Sequence, residues 1–560
     1  MRKTFLAALM VALTGLAAEA GAQTVVSADI TTATTWSGVI VMQNPIFVRD
    51  GGRLTILPGT IVRGQPRTAA VAPGSTIGTP GTLIVAQTGR LVANGSSGSP
   101  IVFTTAATDN DNNGVADDAD TNGFADAWEP GDVFLDDTPT TAPLAPLNKN
   151  GLANVSLWGG VVVLGNAPTN NADKAAVGYG KALVEGLTVP GFPAAYATYG
   201  GILPHDNSGI LRFVSIRHAG DEIGNSNELN GLSMGGVGDG TTIENVEIYC
   251  NFDDGFEWFG GTVNGKNLAV FFAGDDMFDQ DEGYTGANQF LFGIMPFFNE
   301  NDGTAFGSAS GDKATEYDGD NYRPDNAALN DNVNIRLDIA DTVVDPTPWP
   351  LSNSLTYNAT LIGSTLDAGA EVPPVSAAST NRGIQFRNGY AGEVHNTIVV
   401  NTGAETGIEV DGSVTAGSPG FNAIENANNG LISLVCSSLD DGAALGAGET
   451  TVVTNGNALN LELGGTAAGA NVTNGTFAGL SKEDASFNLT GDVNGKLVAS
   501  LKASPINPRP TGFVGVSGCT NPRGPGLTTN ATYRGAFLSS APTLWTTGWT
   551  AMNIGGLLAN

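Results

Sequence analysis

The sequence is that of an all-β solenoid, and three observations predict it. Motifs recur at the length of one coil. Asp253-Asp254-Gly255-Phe256-Glu257 returns as Asp275-Asp276-Met277-Phe278-Asp279, 22 residues later. Asn230-Gly231-Leu232-Ser233 precedes Asp254-Gly255-Phe256-Glu257 by 24 residues, and Gly383-Ile384-Gln385-Phe386 precedes Gly407-Ile408-Glu409-Val410 by the same 24. A fixed period of this size marks stacked repeats, each burying its floor on the next. The composition agrees: 77 Gly and only 14% charged residues suit short strands joined by tight turns. The apolar residues fall in short alternating runs, which fits strands with one buried face. The 560 residues then form one elongated body, and dividing by a mean domain size would miscount.

Residues 1–22 read as a signal peptide: Arg2 and Lys3, the apolar run Phe5–Ala18, and the small-residue site Ala20-Gly21-Ala22. No later segment is apolar over a membrane-spanning length. The expectation is an exported chain: secreted, periplasmic or on the outer cell surface. Residues 23–107 hold the first coils. Gly52-Arg53-Leu54-Thr55-Ile56 is echoed by Gly89-Arg90-Leu91-Val92-Ala93, and Gln65–Thr79 between them reads as a projecting loop. The runs Leu54–Thr60, Gly81–Val85 and Pro100–Thr104 resemble the opening coils of exported bacterial right-handed parallel β-helix proteins. That resemblance implies the handedness and the parallel, single-stranded course of the coils.

Residues 108–150 interrupt the pattern with two nine-residue copies, Asp109–Asp117 and Asp118–Asp126, and a polar linker, Asp137–Asn150. The main solenoid is expected over 151–412, with an irregular covering segment at Pro296–Ser352. Residues 413–510 read as late coils with Gly/Ala/Asn-rich loops. Residues 511–560, with Phe537, Trp545 and Trp549, read as an aromatic cap that seals the open end. The motifs around Tyr199-Gly200-Gly201, His205–Gly209, Arg217–Gly220, Gly238–Ile243 and Asp253–Val263 resemble one branch of the β-helix group. That branch is widespread in secreted bacterial proteins and has no assigned activity.

The 55 acidic against 24 basic residues, net −31, exclude the basic face that a nucleic-acid partner needs. They fit either cation binding or solvation outside the cell. Of three cysteines, Cys436 and Cys519 lie beside turn sequence and form the expected disulfide. Cys250 ends an alternating run and reads as a buried small side chain.

Two constellations carry chemistry. In the insertion, Asp118, Asp120, Asn122, the Phe124 carbonyl, Asp126 and Glu129 fall at positions 1, 3, 5, 7, 9 and 12, with Gly123 at 6. The preceding copy offers Asp109, Asp111, Asn113, the Val115 carbonyl, Asp117 and Asp120, with Gly114 at 6. This is the ligand spacing of an EF-hand loop: hard oxygens on a sharply folded turn suit Ca²⁺ and leave no role for Zn²⁺. It resembles the abutting calcium repeats of thrombospondin type 3 and dockerin-like segments. The plain alternative is a solvated acidic loop.

The second is an acidic ladder of Asp253, Asp254, Glu257, Asp275, Asp276, Asp279, Asp281 and Glu282. Neighbouring coils lie about 4.8 Å apart, so Glu257 above Asp279 would repel, share a proton or bind a cation. These two are the acid/base candidates. A lyase would also need a basic side chain, and only Lys266 lies within Asn251–Gly286. The Gly-His-Gly and Arg-Ile-Lys motifs of pectin hydrolases do not occur. His205, His218 and His395 read as scattered turn or surface residues, and Trp258 as core, with a sugar platform as its alternative.

Three functions stay open. The favoured one is a secreted or cell-surface calcium-binding β-helix that binds glycan or another extracellular surface without catalysis. The alternatives are a calcium-assisted lyase or glycoside hydrolase on acidic polysaccharide, and an extracellular scaffold.

Overall fold

The structure is a computed structural model. It describes residues 23–69, 78–146, 153–171, 180–187, 193–223, 227–296, 312–319, 352–363, 382–387, 389–400, 406–410, 423, 432–440, 460–463, 487–491, 497–501, 506–509, 519, 521–524 and 526–558. The expected signal segment lies outside them, as do parts of the Gln65–Thr79, Asp137–Asn150, Pro296–Ser352 and 413–510 regions.

The chain winds as a right-handed parallel β-helix. Almost every strand pairing along the body is parallel and links one coil to the next. Nine strands form one sheet, in the order Ile46–Val48, Leu83–Val85, Val161–Leu164, Leu232–Gly235, Phe256–Phe259, Phe278–Asp281, Lys313–Asp318, Arg382–Arg387, Thr406–Val410. We call it the short-strand sheet. The rest of each coil lies in a 17-stranded sheet, whose longest members are Gly209–Arg217, Thr242–Asn251 and Asn264–Ala273.

The coils of the long sheet share a bend at a residue in the left-handed region; Cys250 and Phe272 add a second such residue near the ends of Thr242–Asn251 and Asn264–Ala273. Phe213, Asn245, Asn267, Phe290, Asn358 and Asn396, with φ between 48° and 60°, occupy the shared bend in successive coils. Asn tolerates that conformation better than most residues, and its carboxamide supplies a rung, as where Asn267 Nδ2 donates to Asn245 Oδ1 at 3.1 Å.

The interior is one apolar column running from Ile30 to Leu434. Aromatic rings stack along it: Phe256 on Phe278 at 5.7 Å, Trp258 on Tyr284 at 5.5 Å, and Tyr317 on Phe386 at 5.2 Å. Trp258 is fully buried, so the core reading holds and the sugar-platform alternative falls.

The acidic insertion is spliced between two adjacent coils. Val161–Val163 pairs directly with Leu83–Val85, and Gly209–Arg212 with Leu91–Asn94, so the solenoid continues across it. The insertion folds back on the body. Trp128 stacks on Phe134 at 5.0 Å, Arg63 lies over Phe134 at 4.0 Å, and Gln65 Nε2 donates to the Trp128 carbonyl at 2.8 Å.

The aromatic closing segment lies along the flank of the long sheet rather than across the coil end. Ala531 O accepts from both Asn358 and Asn396 Nδ2, Phe537 meets Phe292 edge-on at 4.9 Å, and Trp549 meets Phe213 at 5.7 Å. The Ala551 amide donates to Glu247 Oε2 at 2.7 Å. Burying these rings covers apolar outward positions such as Tyr249, Phe271 and Phe292.

Pro296–Ser352 contains a full rung of the short-strand sheet, Lys313–Asp318, where an irregular segment was expected. His218 and His395 are buried rather than on the surface. His218 sits at a left-handed corner between the Asn154 carbonyl and the Tyr249 ring, and burial holds its imidazole down at a pKa of about 4. His395 stacks flat on Tyr357 at 4.8 Å. Cys250 is a buried free thiol and Cys519 is disulfide-bonded; Cys436 lies in strand Ser433–Asp440, with its side chain outside the described residues. Among the described residues, no helix is long and apolar enough to cross a membrane.

Candidate carboxylate groove

One outward position of the short-strand sheet can be followed rung by rung through nine coils. It reads Phe47, Ile84, Val162, Ser233, Glu257, Asp279, Glu316, Gln385, Glu409. The first three rungs are apolar and lie under a lateral cover: Ala182, Val184, Leu187, Tyr199, Ile223 and Leu229 pack on Phe47, Ile84, Val162 and Leu164. From Ser233 onward the position turns polar. The polar rungs begin where the apolar cover ends; Ser233, Glu257, Glu316 and Gln385 are buried, and Asp279 and Glu409 half-buried.

Glu257 and Asp279 are direct register partners on adjacent parallel strands. Asp254, Glu257 and Asp279 each bring a carboxylate oxygen within 4.8 Å of the others, and so do Asp253, Asp254 and Asp275. Glu257 is recessed, with Oε2 accepting from Asn230 Nδ2. Asp279 is half-buried, and its Oδ1 is enclosed with no hydrogen-bond partner among the described residues. Burial first, and then the Asp279 charge, holds the Glu257 carboxyl well above the usual carboxylate range. Burial followed by Glu316 and Asp318 does the same to Asp279, against the pull of Lys313 and Arg387.

Asp254 and Asp276 do a different job from that expected of a solvent-facing ladder. Asp254 Oδ1 accepts the Asp276 amide at 2.8 Å, Asp276 Oδ1 accepts the Lys313 amide at 2.8 Å, and Asn230 Oδ1 accepts the Asp254 amide at 3.2 Å. These side chains tie one corner of each coil to the next. Glu282 leaves the ladder altogether. It follows the strand at a left-handed corner, φ 56°, in register with Gly236 and Gly260. There its carboxyl accepts from Tyr199 and Asn171, and burial raises it to about 7. Asp281 stays on the outer face, between Phe259 and the next strand.

Basic groups absent from Asn251–Gly286 around the ladder come from later coils. Lys313 Nζ lies 2.7 Å from Asp312, 2.7 Å from Glu316 and 3.3 Å from Asp276. Arg387 holds Glu316 and, at 3.2 Å, Asp318. Arg382 bridges Asp312 at 3.2 Å and Glu409 at 2.5 Å. Burial alone would lower Lys313, but the surrounding carboxylates raise it. Burial would raise Glu316; Lys313 and Arg387 outweigh it and bring Glu316 down to about 2. A neutral-leaning carboxyl, Asp279, thus stands one rung from a firmly ionised one, Glu316. The signal was in the sequence: Thr315-Glu316-Tyr317 repeats the acid-then-aromatic step of Phe256-Glu257-Trp258. Lys266, the one cation within Asn251–Gly286, lies on the long sheet, in register with Glu244.

In the insertion, Asp109, Asp111 and Asp117 bring carboxylate oxygens within 4.8 Å of one another. The two copies fold alike. Asp109 accepts the amides of Asn113 and Gly114, and Asp118 accepts those of Asn122 and Gly123. The Val115 amide bonds Asn113 Oδ1 as the Phe124 amide bonds Asn122 Oδ1. Among the described residues, no equally tight group forms around Asp118, Asp120 and Asp126. Glu129 is exposed, its backbone in a turn closed by Asp132.

A family described as a pectate-lyase-like β-helix domain matches residues 148–478, more than half of the chain. The chain belongs to the pectate-lyase-like β-helix family. The matched span of this pectate-lyase-like β-helix includes every polar rung of the groove, from Ser233 to Glu409, and leaves the acidic insertion almost wholly outside. No curated protein and no solved structure gives a significant match to the chain.

Proposed function

We propose that this pectate-lyase-like β-helix is an exported protein that binds a polysaccharide lengthwise along the short-strand sheet. The observation that supports it is the run of six polar rungs, Ser233, Glu257, Asp279, Glu316, Gln385 and Glu409, in unbroken register. Such a ladder repeats its chemistry once per coil, about every 4.8 Å, as a polymer of like units does. Carboxylates and carboxamides accept from sugar hydroxyls, while Arg387 and Arg382, both partly exposed, can meet anionic groups. A divalent cation at Asp253, Asp254 and Asp275, or at Asp254, Glu257 and Asp279, would extend the ladder's reach to acidic polymers.

The Asp109–Asp117 loop supports a structural calcium ion. Its donors are hard carboxylate oxygens on a loop folded by Gly114 at φ 79°. Asp111 and Asn113 add donors, and the Val115 carbonyl completes the set. The ion would order the insertion on its Trp128–Phe134 anchor.

A second reading is favoured by one contrast. Asp279, its carboxyl raised by burial, and Glu316, brought down to about 2, are neighbours in register, and paired carboxyls with opposed titration are how acid/base chemistry is set up. Glu257 or Asp279 would then protonate a glycosidic oxygen. Incubating the full-length chain with neutral and uronic-acid polymers, with and without Ca²⁺, and assaying new reducing and unsaturated ends separates the readings. Retention without new ends supports binding. New ends that vanish in Glu257→Gln and Asp279→Asn support catalysis. Neither retention nor new ends on any polymer refutes both.

A further inference from the structure

A second recess lies on the long sheet, away from the carboxylate groove. It is a cavity of about 240 Å³ between two rungs and the closing segment, bounded by Asp239, Thr242, Glu244, Asn264, Lys266 and Leu527. Its two acids are already engaged: Glu244 holds Arg212 at 2.9 Å, and Asp239 holds His205 at 2.8 Å. Lys266 sits directly above Glu244 in register, yet makes no ion pair or hydrogen bond among the described residues. Asn264 Oδ1 accepts the Ala287 amide at 2.9 Å, which leaves its NH₂ group to donate. The Thr242 hydroxyl, half-buried, is the third donor.

An ammonium, an amide NH₂ and a hydroxyl therefore line one small cavity in a chain of net charge −31. An anion with several acceptor oxygens matches that donor set. Leu527, half-buried on the closing segment, gives one apolar wall. The volume falls below the roughly 300 Å³ at which pockets take drug-sized ligands, so the occupant is about the size of one sugar residue.

We propose that this recess binds the carboxylate of a small organic acid, through Lys266, Asn264 and Thr242, with the ligand's carbon skeleton against Leu527. The inference does not rest on polysaccharide binding at the groove, which uses different residues on a different sheet.

The test is calorimetric titration of the full-length protein with sodium glucuronate, sodium succinate and glucose. At least one of the two carboxylates binds and glucose does not. Lys266→Met weakens that binding by about tenfold or more, the loss of a charge-assisted hydrogen bond, at unchanged melting temperature. Glu257→Gln leaves it unaltered, which keeps this result separate from any failure at the groove. Tighter binding of glucuronate assigns a carboxylated sugar, and tighter binding of succinate an aliphatic acid. No heat with either carboxylate, equal binding of glucose, or undiminished affinity in Lys266→Met overturns the proposal.

Discussion

Glu257 and Asp279 face the same way from adjacent parallel strands, and with Asp254 they place three carboxylate oxygens within 4.8 Å of one another. Three ionised carboxylates at that separation repel strongly in a recess poor in water, so the folded state retains protons.

Stability should therefore fall as pH rises through the neutral range. Glu257, Asp279, Asp254 and Asp276 are raised well above their ordinary values, chiefly by burial; Asp275 lies at about 6 and Glu282 at about 7. A carboxyl raised on folding adds stability that is full below its unfolded pKa of about 4 and is lost as pH rises through the folded value. Glu316, at about 2, acts in the opposite sense and loses its contribution as pH falls from about 4 toward 2. Melting temperature in the presence of a chelator, with no cation to hold these carboxylates ionised, should peak near pH 4 to 5 and drop toward about pH 8. Glu257→Gln combined with Asp279→Asn should flatten that drop. A profile that rises from pH 5 to 8 would contradict the carboxyl cluster.

Lys313 is the counter-charge of the groove, 8% exposed at its side chain and ringed by Asp276, Asp312 and Glu316. Lys313→Met should destabilise by about 3 kcal/mol, because it takes the cation from buried Asp276 and leaves Glu316 and Asp312 to Arg387 and Arg382 alone. The loss should shrink at low pH as those groups take protons. Chemical denaturation at two pH values reads both effects.

Chelation should lower the melting temperature if the insertion holds calcium, since a ligand at about 100 times its Kd adds about 2.7 kcal/mol. Asp109→Asn with Asp111→Asn should abolish the chelator response. Asp118→Ala with Glu129→Ala should diminish it less, because the tight oxygen group forms in the first copy.

Trp549 is fully buried against Phe213, on the flank of the long sheet. Trp549→Ala should cost about 3–5 kcal/mol and expose the closing segment to limited proteolysis, while the coils stay resistant.

The fold was legible because each coil repeats its instructions. Gly255-Phe256-Glu257 and its later copy put an apolar residue inward and an acid outward at the same corner, so the register of Glu257 on Asp279 follows from counting. What could not be counted was the content of the intervals. Lys313–Asp318 is separated from Asp281 by a long excursion, which hides its period. The cover over Phe47, Ile84 and Val162 comes from residues 182–229, and nothing local in those strands says which outward rungs will be covered. Local spacing likewise gave the turn geometry of the Asp109 and Asp118 loops, but not which copy gathers its oxygens most tightly. The corner bonds of Asp254 and Asp276 were missed because a stacked Asp serves equally as a ligand or as an acceptor for the next coil's amide.

The most direct measurement is retention of the full-length chain on an immobilised panel of neutral and acidic polysaccharides, with and without Ca²⁺, beside the Glu257→Gln, Asp279→Asn double variant. The account expects retention on at least one polymer class and a loss of about tenfold or more in the variant, with its fold intact. Equal retention of variant and parent, or retention on none of the polymers in either condition, would contradict a glycan-binding groove on the short-strand sheet.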